Sequence, residues 1–185
     1  MPDETIRHAE DRMSKALAAL GHEFSTVRTG RASGAILEKV TVEYYGTQTP
    51  LLQMASVAAP EPQSLVITPY DKSVMGAIEK AILSSDLGLN PSNDGNVIRV
   101  PFPALNEERR KELVKVCHTY AEAARVAVRN SRREANDVFK RMEKDGDIGK
   151  DDARRGETEA QRLTDHYIRE VDELLKHKEQ EIMEV

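Results

Sequence analysis

The sequence predicts an α+β fold in which a small α/β domain is inserted into a bundle of three long helices. Two observations lead to this fold class. Apolar residues recur at alternating steps of three and four near the amino terminus and again in two long segments after residue 105, as on helices with one buried face. Residues 31–103 instead contain short alternating apolar and polar runs, separated by glycine and proline, which are typical of strands and turns.

The first helix is predicted from a single apolar seam. Its members are Ile6, Ala9, Met13, Ala16, Leu20, Phe24 and Val27. The spacing is lost at Thr29 and Gly30, and glycine is the usual residue just past the end of a helix. We therefore expect the first helix to end before Gly30.

The middle segment predicts several strands and one short helix. Apolar residues alternate over 40–44, and Gly46 with Pro50 marks a turn after this strand. Strand alternation places Tyr44 and Tyr45 on opposite faces, so we expect one of them in the core and the other exposed to a partner. Further strands are predicted at 55–58, 65–68 and 97–100, a helix at 73–84 and a turn at 93–95.

The second helix is the longest, predicted from Asn106 to Arg141, a span of 36 residues. Asn106 is the expected N-cap, because its side chain can accept a hydrogen bond from a backbone N–H of the first turn. Glu107 and Glu108 follow, where the helix dipole favours negative charge. The predicted seam is Leu113, Val116, Tyr120, Ala124, Ala127, Ser131, Ala135, Val138 and Met142.

The third helix follows a break at 145–149, and either Asp151 or Asp152 can cap it. Its predicted seam is Ala160, Leu163, Tyr167, Val171, Leu174 and Ile182. Three helices with one seam each favour a three-helix bundle. We assign residues 1–30 and 104–185 to this bundle.

Residues 31–103 form the inserted domain in this assignment. The chain crosses between the two domains twice and has no long linker, which predicts a hinge of limited freedom. The predicted hinge residues are Thr29, Gly30, Arg31, Pro103, Ala104 and Leu105.

Basic residues are concentrated on the second helix, in a group that we call the arginine rail: Arg125, Arg129, Arg132, Arg133 and Lys140. Their spacing places them along one stripe of a helix. The whole chain has a formal charge of -5, yet residues 104–141 carry ten Lys and Arg against six Asp and Glu, a net +4. Residues 142–185 carry eight against fourteen, a net -6. On this pattern alone, a solvated face and a phosphate-binding face are equally good interpretations.

Other function classes are poorly supported by the sequence. The five histidines have no metal-ligand spacing with one another or with the single cysteine, Cys117, which lies among apolar helical positions and is expected in the core. No phosphate-cradling glycine loop, nucleophile elbow or dinucleotide motif is present, so we expect no enzyme and no cofactor. Without an apolar run of membrane-spanning length or a targeting segment, we expect a cytoplasmic protein.

Several segments resemble the ribosome recycling factor family. They are 27–33 (VRTGRAS), 42–46 (VEYYG) with 49–51 (TPL), 85–91 (SDLGLNP), 98–101 (IRVP), 107–111 (EERRK) and 128–133 (VRNSRR) with 135–136 (AN). The segments occur in order along the whole chain, and so many long matches rarely occur together elsewhere.

This resemblance implies an L-shaped protein, with the bundle as the long arm, a β/α/β domain as the short arm and a flexible corner. It implies ribosome recycling after translation termination: the long arm binds large-subunit ribosomal RNA and the short arm meets elongation factor G. With GTP hydrolysis by that factor, the subunits separate for reuse. It implies a monomer that binds neither membrane nor DNA. The alternative is a non-ribosomal helical-bundle interaction protein whose arginines merely solvate the helix.

The residues expected to bind ribosomal RNA follow from the resemblance and from the rail. Arg132 is the first choice, Arg129 and Arg133 flank it, and Asn136 can add a neutral hydrogen bond. Arg125 and Lys140 are the expected edges, and Arg7 and Arg12 would widen the basic face from the first helix. Arg28 and Arg31, at the corner, either contact RNA or tie hinge carbonyls, with equal weight.

Overall fold

The computed structural model describes residues 2–27, 29–102 and 104–184. In chain order its elements are α1 (Pro2–Ser25), β1 (Thr41–Tyr44), β2 (Thr47–Pro50), α2 (Leu51–Met54), β3 (Ala55–Glu61), β4 (Ser64–Pro69), α3 (Met75–Ser84), β5 (Ser92–Asn93), β6 (Ile98–Pro101), α4 (Glu107–Asp145) and α5 (Lys150–Met183). Short 3₁₀ turns occupy Gly34–Leu37 and Lys72–Val74. The α+β class predicted from the sequence is confirmed, with three long helices and a small antiparallel sheet.

The chain divides into two compact units. The first contains residues 1–24 and 114–180, and the second contains residues 25–113 and 181–185. The first unit is helical and holds most of α1, α4 and α5, whereas the second holds every strand. The functional division that we predicted, 1–30 with 104–185 and 31–103, remains a prediction.

The seam predicted for α1 is confirmed from Ile6 to Phe24, whereas Val27 lies beyond the end of the helix. Ala9, Met13, Leu20 and Phe24 are buried, and Ile6 and Ala16 are partly buried against the same cores. Their three and four spacing places them on one face, so burial of this face stabilises the helix more than intrinsic propensity does.

The predicted seam of α4 is partly wrong. Val116 has 41% of its surface exposed and Ala127 is also exposed, whereas Cys117, Val128 and Phe139 are completely buried. Two neighbouring apolar stripes share several positions on this helix, and α4 is rotated toward the stripe that carries Phe139. Its buried residues are Leu113, Cys117, Ala121, Ala124, Val128, Ser131, Ala135 and Phe139. The core position expected for Cys117 is confirmed.

The predicted cap of α4 is present, whereas the predicted cap of α5 is not. The backbone N–H of Arg109 donates to Asn106 Oδ1 at 2.7 Å, as an N-cap requires. At α5, Ala153 N donates to the carbonyl of Gly149 at 3.0 Å, so the helix starts one residue before Asp151. Asp151 and Asp152 therefore lie in the first turn, where they complement the dipole without capping it.

The second unit contains a two-stranded hairpin and a four-stranded antiparallel sheet. Strands β1 and β2 form the hairpin, and the larger sheet has the order β3-β4-β6-β5. Helix α3 contributes Ile78 and Ile82 to the same core as Val42 of β1 and Ile67 of β4. The turn predicted at Gly46 is present, with a φ of 79°, but it does not extend to Pro50. Residues 47–50 instead form the second hairpin strand, which sequence patterning missed.

The two tyrosines of the hairpin differ in burial, as predicted. Tyr44 ends β1 and is partly buried against the core, whereas Tyr45 has 86% of its surface exposed. The difference in burial does not arise from the alternation of side chains along a strand, because Tyr45 lies in the turn after β1, with a φ of 48°. The two rings meet edge to face with centroids 4.5 Å apart.

Candidate nucleic-acid interface

The arginine rail lies entirely on α4 and differs in exposure from one residue to the next. Arg133 and Lys140 are exposed, whereas Arg125, Arg129 and Arg132 are only partly exposed. The partly exposed side chains have different hydrogen-bond partners, and these partners decide which of the rail's charges are available.

Arg125 is held by carboxylates of two helices. Its Nε and Nη2 atoms donate to Asp172 Oδ1 on α5 at 2.9 and 2.6 Å, and its Nη1 atom donates to Glu122 Oε2 at 3.1 Å. Only 19% of the side chain is exposed. Because its charge is compensated and three of its five N–H groups already donate to carboxylates, Arg125 is the rail residue least suited to bind phosphate.

Arg129 is also paired, although only within its own helix. Its Nη1 atom donates to Glu122 Oε1 at 3.1 Å, and 39% of its side chain is exposed. The hydrogen bonds from Arg125 and then Arg129 hold the pKa of the Glu122 carboxyl below its ordinary value. Glu122 thus remains charged near neutral pH and shares its charge between these two arginines.

Arg132 has a neutral partner instead of a carboxylate. Its Nη1 atom donates to the amide oxygen of Gln161 on α5 at 2.9 Å, and the Gln161 amide nitrogen donates to Asp165 Oδ1 at 2.9 Å. The guanidinium is therefore tethered by one hydrogen bond while its charge stays uncompensated by direct contact. This combination makes Arg132 well suited to bind an anion from outside the protein.

The two remaining rail residues, Arg133 and Lys140, have charges that are not paired with a described carboxylate. Asn136, one turn beyond Arg132, is half-buried, and its Oδ1 atom is buried without a hydrogen-bond partner in the described chain. Consequently the charge available to a ligand is concentrated at Arg132, Arg133 and Lys140.

The expectation that Arg12 widens the rail is wrong. Arg12 Nη1 pairs with Glu134 Oε2, so its charge is compensated. At 100° per residue, Glu134 lies about 160° around α4 from Arg132, on the far flank from the rail. Arg7 donates to the backbone carbonyl of Asp3 at 3.3 Å, within its own helix.

The predicted hinge residues that the structure describes line one open cleft within the second unit. The cleft has a volume of about 600 Å³, and the hinge residues that line it are Thr29, Gly30, Arg31, Ala104 and Leu105. Gly30 has a positive φ of 82°. Arg31 is exposed and makes no side-chain hydrogen bond with a described residue, so no tie to a described hinge carbonyl is observed. Two predicted site residues, Arg28 and Pro103, lie outside the described residues.

Within the described ranges 2–27, 29–102 and 104–184, no group of three or more His, Cys, Asp and Glu residues is arranged to hold a metal ion. No helix in these ranges is both long enough and apolar enough to cross a membrane. Burial raises the pKa of the Cys117 thiol to about 11, as expected for a reduced packing residue.

Sequence comparison identifies close relatives over the full chain. The family described as "Ribosome recycling factor" matches residues 20–183. The ribosome-recycling factor of Bacillus subtilis is 57% identical and that of Halothermothrix orenii is 59% identical, each over 185 residues that cover 100% of both chains.

Solved structures show the same likeness. A solution structure of the ribosome recycling factor superposes with a TM-score of 0.79 at 43% identity, covering 100% of this chain and 98% of the other. A second similar chain, with a TM-score of 0.69, 46% identity and 100% coverage of both chains, comes from models for the T. thermophilus ribosome recycling factor and the E. coli elongation factor G bound to the E. coli post-termination complex.

Proposed function

Because this chain belongs to the ribosome recycling factor family, we propose that it binds the post-termination ribosome and promotes separation of its subunits. In this proposal the partners are large-subunit ribosomal RNA and elongation factor G, whose GTP hydrolysis drives the separation. The similar chain described together with elongation factor G on a post-termination complex supports elongation factor G and the ribosome as partners.

The main support for RNA binding is the uncompensated charge of Arg132, Arg133 and Lys140. These cations are grouped on one helix although the chain as a whole has a formal charge of -5. Arginine presents a planar fork of donors that suits phosphate, and a rigid helix holds neighbouring cations at constant spacing. Structured RNA offers phosphates at comparable spacing, so several contacts can form in a single docking pose. We propose Arg132, Arg133, Arg129 and Lys140 as the RNA-binding core, with Asn136, Arg28 and Arg31 as further contacts and Arg125 as an edge.

The hinge belongs to the same proposal. If Thr29, Gly30, Arg31, Pro103, Ala104 and Leu105 let the short arm turn at the corner of an L-shaped molecule, elongation factor G can push on this arm while the RNA-bound arm stays docked. The protein then acts mechanically as a cytoplasmic monomer. It needs no cofactor and no catalytic group of its own, and it binds neither membrane nor DNA.

Binding to isolated large ribosomal subunits tests this function. We expect co-sedimentation that weakens as salt rises, because released counterions contribute much of the affinity for RNA. Substituting Arg132→Ala should weaken binding and flatten the slope of log affinity against log salt by about one unit.

The matched control is Arg162→Ala on α5. This change also removes one positive charge, but Arg162 is paired with Glu159 through hydrogen bonds of 2.6 to 3.1 Å. Its variant should bind with nearly the affinity of the parent chain. Equal losses in both variants would show that only net charge matters, and affinity independent of salt would refute the RNA-binding proposal.

A further inference from the structure

We propose that Gln161 of α5 is a neutral positioning residue for Arg132, one that orients the guanidinium toward ribosomal RNA without compensating its charge. This inference rests on the proposed function and adds a residue from a different helix to it. The main evidence for it is the 2.9 Å hydrogen bond that Arg132 Nη1 donates to Gln161 Oε1.

The orientation of the Gln161 amide is dictated by its two neighbours. Arg132 can only donate hydrogen bonds, and the carboxylate oxygens of Asp165 accept them. The amide oxygen must therefore face Arg132, and the amide nitrogen must face Asp165, whose Oδ1 lies 2.9 Å away. Since Gln161 and Asp165 are one helical turn apart on α5, the helix itself maintains this arrangement.

The neutrality of Gln161 distinguishes Arg132 from Arg125 and Arg129, the two rail residues that are held by carboxylates. Arg125 is paired with Asp172 and Glu122, and Arg129 is paired with Glu122. A phosphate approaching those arginines must compete with a carboxylate for the same donors. At Arg132 it competes only with an amide dipole, so the full positive charge remains for the incoming anion.

Tethering also lowers the entropic cost of binding. A free arginine on a helix surface samples many rotamers, and fixing such a side chain in a complex opposes association. The bond to Gln161 occupies one Nη1 hydrogen and restricts the rotamers before RNA arrives. The four other N–H groups of the guanidinium stay available for a bidentate phosphate contact.

Two substitutions separate positioning from charge. Gln161→Ala removes the tether, and we expect large-subunit affinity to fall about threefold with an unchanged salt slope, because the same phosphate is still neutralised. Gln161→Glu keeps a hydrogen-bond acceptor at this point but adds a compensating charge. We expect a larger loss than with alanine and a shallower salt slope.

A double-substitution cycle with Arg132→Ala tests whether Gln161 acts through Arg132. Once Arg132 is absent, Gln161→Ala should cause no further loss of affinity. Gln180→Ala is the control, since Gln180 is an exposed glutamine of α5 with no hydrogen bond to the rail. The unfolding midpoint in urea should be the same for the parent chain, Gln161→Ala and Gln180→Ala.

Each outcome decides one question. Parental affinity in both Gln161 variants, or a loss that persists in the Arg132→Ala background, would overturn the positioning role while leaving the rail proposal intact. Binding that does not depend on Arg132 would instead overturn the RNA-binding role proposed for Arg132, on which this inference rests. A glutamate variant that binds as well as the parent would show that neutrality at this position is irrelevant.

Discussion

The ring of Phe139 on α4 lies so close to Gly156 on α5 that a Cβ atom at Gly156 would be 2.7 Å from Phe139 Cζ. Phe139 is completely buried, and both residues belong to the first unit. Glycine usually weakens a helix interior, but here it lets the backbone of α5 approach a phenyl ring that fills the core.

Substituting Gly156→Ala should lower the free energy of unfolding by about 1–3 kcal/mol, because the added methyl group overlaps the Phe139 ring. Urea unfolding followed by circular dichroism measures the change. The control is Gly21→Ala on α1, where a Cβ would meet nothing within 4 Å. This substitution should raise the free energy of unfolding by about 0.5–1 kcal/mol, because alanine favours the helix.

A second substitution tests whether the ring is the cause. Phe139→Leu should be less damaging in the Gly156→Ala background than in the parent chain, since the smaller side chain leaves room for the new methyl group. Additive losses in the double variant would show that the two residues do not interfere.

Arg125 should contribute mainly to stability and Arg133 mainly to RNA binding, although both lie on α4. Arg125→Ala removes the hydrogen bonds to Asp172 and Glu122, so it should cost about 1 kcal/mol of unfolding free energy and affect RNA binding less. Arg133→Ala removes an exposed, unpaired charge, so it should weaken large-subunit binding and leave stability unchanged. Urea unfolding and co-sedimentation on both variants measure this contrast, and the reverse pattern would show that Arg125, not Arg133, supplies the charge that binds RNA.

The hinge proposal predicts a kinetic effect at Gly30. Alanine tolerates the observed φ of 82° poorly, so Gly30→Ala should restrict the corner and slow subunit splitting in the presence of elongation factor G and GTP, while large-subunit affinity stays near that of the parent. Light scattering from ribosomes reports the splitting rate.

The control for strain is Gly95→Ala in a turn of the second unit, where φ is 92°. Both variants should lose a similar amount of unfolding free energy, about 1–2 kcal/mol. If Gly30→Ala split ribosomes at the parental rate despite this loss, Gly30 would not be part of a working hinge.

Much of the fold could be predicted because local patterns were unambiguous. The seam of α1 and the Asn106 cap follow from spacing and from capping chemistry, and both are present in the structure. Strand β2 was missed because its residues, Thr47–Pro50, are largely exposed and carry no apolar alternation. The seam of α4 was misjudged because two stripes of the helix share Leu113, Ala124, Ser131 and Ala135, and spacing alone does not choose between them.

The sequence by itself determined that a cationic stripe exists, that it lies on a long helix and that the chain resembles one family from end to end. Only the tertiary structure decided which of the rail's charges are available. Arg125 meets Asp172 across 47 residues of chain, and Arg132 meets Gln161 across 29. Such pairs depend on how α4 and α5 are rotated and aligned against each other. That rotation is set by packing of the buried seams, including Phe139 against Gly156, and it leaves no periodic signal at the arginines themselves.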